Sequence, residues 1–182
     1  MAPSFQSGVQ GPGHLRMRLV TVDDAEYIYN LRMDPAYNTY LSAVSGGVDG
    51  QRRWIESYKA EEAAGLQYYF VMEAPQQQRC GLVRLYNFED DAFTWGSWIL
   101  DHNKPPKAAL ESAFLIYDIA FRHLNVQRAI FEVMLKNDHT LSFHRRYGAR
   151  ETCMDEINVY FEYTSEQFGT DRAHIISTLK AS

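Results

Sequence analysis

The spacing of apolar side chains switches several times along this chain, and each switch marks an expected element. Residues 15–20, LRMRLV, alternate apolar and polar positions as a half-buried strand does. TVDDAEYIYNLRM, over 21–33, moves to a helical period. Thr21 and Asp24 are spaced as a capping box, and Pro35 sets the far limit. Residues 36–50 contain Gly46, Gly47 and Gly50 and read as a loop, after which QRRWIESYKAEEAA is an amphipathic helix stopped by Gly65. Strands follow over 67–74 and 79–88, joined by a Pro-Gln turn, and over 92–100 after the turn in FEDD, so an antiparallel meander is expected. A basic turn, DHNKPPK, then leads into a long helix starting near Pro105, in which Leu110, Phe114, Ile116, Tyr117, Ala120, Phe121 and Leu124 recur every three or four positions. Residues 127–135 read as a strand, a helix follows Asn137, and residues 150–164 supply closing strands. Beyond Phe168 no period is visible, and no repeat or linker divides residues 15–182, which read as a single domain.

Composition fits that picture. The chain has 182 residues, 46% hydrophobic and 14% aromatic, enough for one sizeable core. No apolar run is long enough to span a bilayer, which takes about 18 residues. Residues 1–14, MAPSFQSGVQGPGH, lack the basic start and apolar centre of a signal peptide; they read as a flexible tail, and a cytoplasmic location is expected. Cys80 and Cys153 offer neither a disulfide framework nor metal-ligand spacing. His139 and His144, five residues apart, do not share a helix face, so no metal is expected. A net charge of −5 argues against nucleic acid as a partner. Within that acidic total, Lys104, Lys107, Lys136, Arg145, Arg146 and Arg150 all fall in the central stretch, which suits a small polyanionic ligand.

A strand that enters a helix through a basic turn presents positive charge and helix N–H groups to an anion. Here Pro105 and Pro106 have no N–H and the turn has no glycine, so the ammonium groups of Lys104 and Lys107 are expected at the helix mouth in place of backbone donors. The segment Lys104-Pro105-Pro106-Lys107-Ala108-Ala109 meets the pattern Arg/Gln-x-x-Gly-x-Gly/Ala at its last position. Asn137, Thr140, Phe143, His144 and Gly148 keep the spacing of Asn-x-x-Ala-x-x-Leu/Phe-Tyr-x-x-x-Gly-Phe, with Thr140, His144 and Ala149 departing from it. In these features the chain resembles the GNAT superfamily of acyl-CoA N-acyltransferases over residues 15–168.

The resemblance implies an α+β fold in three layers, a central mixed and mostly antiparallel sheet flanked by helices. It implies acetyl-CoA as cosubstrate, with the pyrophosphate at Asn103, Lys104, Lys107, Ala108 and Ala109 and with Asn137 and Phe143 beside the coenzyme. An irregularity near Gly96 would free the N–H of Ile99 or Leu100 for the thioester oxygen. His144 stands where the family places a tyrosine acid, and as an imidazolium it would protonate the departing thiolate; Glu132 would take the amine proton. The string LRMDP resembles branches that acetylate ribosomal protein N-termini, polyamines or nucleotide-linked amino sugars, with Arg32 as the contact. Asp49 is the one acid in residues 37–50, which disfavours a polycation, and Tyr37, Tyr40, Tyr160 and Tyr163 suit a sugar nucleotide. The expected activity is acetyl transfer to a primary amine on a nucleotide-linked amino sugar. A ribosomal-type protein N-terminus or another small amine is the alternative, and a non-catalytic acyl-CoA-binding module the rival from another class. The expected partner is a small-molecule amine, with neither nucleic acid nor membrane, and a homodimer stays open.

Overall fold

The computed structural model describes Phe5 and residues 7–181. The alternating segments form one eight-stranded sheet: β1 (Val9–Gln10), β2 (Arg16–Leu19), β3 (Tyr68–Ala74), β4 (Gln78–Glu89), β5 (Ala92–Leu100), β6 (Arg128–Met134), β7 (Arg150–Met154) and β8 (Asn158–Thr164). Its spatial order is β1-β2-β3-β4-β5-β6-β8-β7. Every neighbouring pair is antiparallel except β5 with β6. Parallel strands need a crossover, and here α3 (Ala108–Asp118), whose last turn widens into a π turn over Ile119–His123, supplies it. The β5–β6 ladder holds only Ala92↔Arg128 and Phe93↔Ala129, after which the strands splay apart. That split makes room for a site.

Side chains alternate across the sheet and so build two cores. Phe70, Met72, Val83, Leu85, Trp95, Phe131 and Phe161 pack with α3, α4 (Asp138–Tyr147) and α5 (Ser165–Lys180). From the other face, Tyr69, Val71, Leu82 and Ile99 meet Ile28 and Leu31 of α1 (Ala25–Met33) and Ile55 and Tyr58 of α2 (Gly47–Ala63). Each large side chain so buried contributes about 1.5–3 kcal/mol before entropy is counted. Arg18 on β2 holds Asp24 at two points, 2.7 and 2.9 Å, and fixes the start of α1 to the sheet. Thr21 and Asp24 close the expected capping box.

Four boundaries differ from the expectation. α2 begins at Gly47, inside the segment read as loop, because Gly46 takes a left-handed conformation (φ 83°) that starts the helix. α3 begins at Ala108 rather than near Pro105: the Ala108 N–H bonds Pro105 O at 3.2 Å in a turn, and Lys107 holds φ 62°. α5 occupies residues where no period was visible, since only Phe168, Ile175 and Leu179 are buried and such a sparse stripe leaves a weak signal. Finally, the residues read as a flexible tail are built into the fold. Val9 and Gln10 pair with Met17 and Arg16, and Phe5 packs edge-on against Tyr68 and Phe70. The N–H groups of Gly13 and His14 donate to the buried Glu111 carboxylate at 2.7 and 2.9 Å, and a Cβ on Gly11 or Gly13 would strike that carboxylate. Residues 1–4 and 6 of that expectation lie outside the described residues.

Candidate active site

Where β5 and β6 part, a cavity of about 540 Å³ opens through the sheet. Its walls are β5 from Trp95 to Leu100, β6 from Phe131 to Met134, the first two turns of α4, Tyr86 of β4, and Tyr37, Tyr40 and Leu41 of the loop after α1. The expected irregularity in β5 is present, one residue beyond Gly96. The register jumps between Leu82↔Ile99 and Arg84↔Gly96, so Ser97 and Trp98 together face Val83, and Ser97 takes φ 49°. Glycine at position 96 leaves room for Tyr86, since a Cβ would come within 3.1 Å of its hydroxyl and press the ring aside. Ile99 and Leu100 both line the cleft, with the Ile99 side chain turned into the α1–α2 core.

His144 and Glu132 border the same cleft from opposite sides of the sheet. On β6, Phe131 and Val133 are buried and Glu132 between them is exposed. His144, on the inward face of α4, is 3% exposed and surrounded by rings: Phe131 at 4.6 Å, Trp95 and Phe143 at 5.3 Å, Phe161 at 5.6 Å and Trp98 at 6.1 Å between centroids. No described residue hydrogen-bonds its ring nitrogens. Burial alone pushes the imidazolium pKa down to about 3. The imidazolium expected from sequence is therefore corrected to a neutral ring, because no acid stands close enough to offset the lost hydration.

Asn137 is the N-cap of α4, its side-chain oxygen accepting from Thr140 N at 3.3 Å, and it lines the cleft. Phe143 is half-buried between Trp98 and His144. At the basic turn, Asn103 N–H donates to Asp101 Oδ1 at 2.7 Å and Lys104 N–H to Asp101 O at 3.1 Å. The Lys104 side chain is exposed, whereas the Lys107 ammonium is turned away from the helix mouth onto the closing carbonyls of α5, Thr178 O at 2.9 Å and Ala181 O. Two ammonium groups at that mouth are thus corrected to one, since the end of α5 attracts a cation. Ala108 is buried and its N–H is used in the turn, whereas the N–H groups of Ala109 and Leu110 meet no acceptor among the described residues. Those donors, with Lys104, suit an anion such as a pyrophosphate.

Of the residues expected at the acceptor, Tyr37 lines the cleft. Tyr160 pairs across the sheet with Glu132 and donates its hydroxyl to Asp155 Oδ2 at 2.9 Å, outside the cleft wall. Arg32 is set apart in a neighbouring cavity, where it donates to Ser42 Oγ and Ser42 O at 2.8 and 2.9 Å. Sequence reasoning missed Tyr86, although its two-residue spacing from Arg84 and Leu82 places it on that face of β4.

Residues 14–150 match the family described as Acetyltransferase (GNAT) domain. The chain belongs to the GNAT family. This member is an acyl-CoA-dependent N-acetyltransferase, and its three-layer architecture around a split sheet is the GNAT fold. Among solved structures it is similar to apo FdhC, a nucleotide-linked sugar GNAT, at 36% identity over 92% of this chain and 95% of that one, with a TM-score of 0.85. Mycobacterium smegmatis RimJ in complex with CoA-disulfide superimposes with a TM-score of 0.80 at 16% identity, over 98% of this chain and 97% of that one. Spermidine N-acetyltransferase from Vibrio cholerae, in complex with CoA and spermine, does so with a TM-score of 0.71 at 17% identity, over 85% and 98%. At such identities these two share the fold alone. No curated protein sequence matches the chain. Among the described residues there is no cluster of three or more potential metal ligands, and no helix is long and apolar enough to cross a membrane.

Proposed function

We propose that this acetyltransferase moves the acetyl group of acetyl-CoA to a primary amine on a nucleotide-linked amino sugar. The observation that carries the reading is the 36% identity to a nucleotide-linked sugar GNAT across nearly the whole of both chains. The cleft agrees with it. Its lining includes Tyr37, Tyr40, Tyr86 and Trp98, which offer ring faces to a sugar, and Glu132 is the one carboxylate among the lining residues, too few for a polyamine.

Acetyl-CoA supplies the thioester. The chain contributes the unpaired N–H groups of Ala109 and Leu110 and the Lys104 ammonium towards its pyrophosphate, and the bulged strand at Ser97 to Leu100 as the source of an N–H for the carbonyl oxygen. One proton has to travel, because the amine loses it on attack and the sulfur gains it on departure. Glu132, on the exposed side, receives the acceptor as an ammonium and takes its first proton. His144, held neutral by burial, relays the proton released on attack to sulfur in one concerted step, one ring nitrogen accepting as the other gives up its own, so that no imidazolium has to build up in a site that disfavours it.

Steady-state thiol release with UDP- and dTDP-linked amino sugars, beside short peptides and spermidine, tests the assignment. Turnover of the nucleotide-linked sugars in clear preference is the expected outcome. Efficient peptide acetylation without sugar turnover would replace it with the ribosomal-type reading, and binding of acetyl-CoA without turnover of any amine would make the protein a coenzyme-binding module.

A further inference from the structure

A second cavity, about 390 Å³, lies beside the cleft. Arg32 and Arg84 both line it, and no carboxylate does. The Nε atoms of both arginines are buried without a hydrogen-bond partner, and neither guanidinium forms an ion pair among the described residues. Tyr69, also in the wall, is 1% exposed and its hydroxyl is unpartnered too. Burial pushes that phenol up while the charges of Arg32 and Arg84 pull it down, which places both cations close to the hydroxyl although the geometry falls short of a hydrogen bond. At its rim Ser45 and Gly50 bring in the start of α2, where the Gly50 N–H is taken by Gly46 O at 2.9 Å. Two guanidinium groups and the Tyr69 hydroxyl thus meet in one cavity where Ser42 is the one acceptor met by either guanidinium and no carboxylate balances the charge, and buried donors left over in this way are completed by water or by a ligand.

The position of this cavity decides what the anion belongs to. Arg84 and Tyr86 are two residues apart on one face of β4, about 7 Å along the strand. Tyr86 borders the cleft, Arg84 borders the second cavity, and the guanidinium lies 4.7 Å from the Tyr86 ring centroid. On the opposite wall the loop after α1 passes from Leu41 in the cleft to Ser42 in the cavity. The two spaces are therefore neighbours, in the order that an amino sugar joined to a diphosphate requires. Trp54 at the far side, 5.9 Å from Arg84, adds an aromatic face beyond the charge.

Resting on the acceptor reading above, we propose that the second cavity binds the diphosphate of the nucleotide-linked sugar, with Arg84 and Arg32 gripping phosphate oxygens, the Tyr69 hydroxyl donating to one of them, and the amino sugar reaching into the cleft. Arginine is the suited residue, since its planar fork meets two phosphate oxygens at once. Isothermal titration of the full chain with UDP, dTDP and inorganic pyrophosphate tests the site without turnover. A nucleoside diphosphate should bind the native chain, lose at least about tenfold in affinity in Arg84→Gln, recover part of it in Arg84→Lys, and weaken several-fold in Tyr69→Phe. Melting temperature and acetyl-CoA affinity, measured in the same variants, should hold. Absent nucleoside diphosphate binding, binding indifferent to Arg84, or pyrophosphate bound as tightly as either nucleotide would overturn the proposal. Kinetics separate the two claims. Sugar turnover with an unchanged KM in Arg84→Gln removes the cavity and keeps the acceptor, whereas Arg84-dependent nucleotide binding without sugar turnover keeps the cavity as a nucleotide site and removes the acceptor.

Discussion

His144 and Glu132 are twelve residues apart in sequence and border one cleft, yet the sheet between them gives each a different solvent. The imidazole sits among five aromatic rings, 3% exposed, and is held neutral by lost hydration. Glu132 stands on the exposed side of β6, where water hydrates a carboxylate. The difference teaches that one splayed strand pair sets two titratable groups in unlike surroundings: one where lost hydration keeps a ring neutral, the other where water reaches a carboxylate.

The largest effect should come from the dry side. His144→Phe, which keeps the aromatic packing, should lower kcat by about 10²-fold or more while acetyl-CoA affinity stays near native, as read by steady-state kinetics and titration. His144→Tyr sharpens the test, because a buried phenol donates a proton readily but accepts one poorly. Activity near native in that variant would show that donation to sulfur suffices and would remove the shuttle. On the wet side, Glu132→Gln should reduce kcat/KM by about tenfold at pH 7, with the deficit narrowing as alkaline pH deprotonates the amine without help. A pH-independent deficit would make Glu132 an orienting group.

Stability against pH probes the same contrast without substrate. The folded-state pKa of His144 lies below its unfolded value, so between about 3 and about 6.5 the unfolded chain binds the extra proton. Stability is complete above the unfolded value and falls as pH drops through it, by about 2 kcal/mol between pH 7 and pH 5. Denaturant unfolding should show this loss in the native chain and lack it in His144→Phe; an equal loss in both would place the acid sensitivity elsewhere. The smallest effect belongs to the basic turn, which lies outside the contrast. Lys107→Ala should cost about 0.3–1 kcal/mol of stability through the end of α5. It should change acetyl-CoA affinity less than Lys104→Ala does, and the reverse order would return Lys107 to the helix mouth.

Much of the scaffold was legible from local pattern. The strand β2, the meander β3 to β5, the capped α1, and the helix from Asn137 to Gly148 follow from period, caps and glycines, which act over a few residues, and the last of these carried the family resemblance. Lys107 shows where such reading stops. Its place in the turn was visible, but the α5 carbonyls that claim its ammonium lie 71 and 74 residues further on. His144 could be named from spacing, whereas its charge state could not, because burial is a sum over β5, β6, α4 and β8. Likewise Arg32 was singled out by its LRMDP string, but Arg84 and Tyr69 joined it only through the packing of β3 and β4 beneath the start of α2. By itself the sequence determined most of the elements, β1 and α5 excepted, and which family they assemble into, since those choices rest on propensity and periodicity within one segment. The tertiary structure alone decided which polar groups are left dry or unpartnered, because hydration and charge pairing depend on neighbours that the chain brings together from far apart.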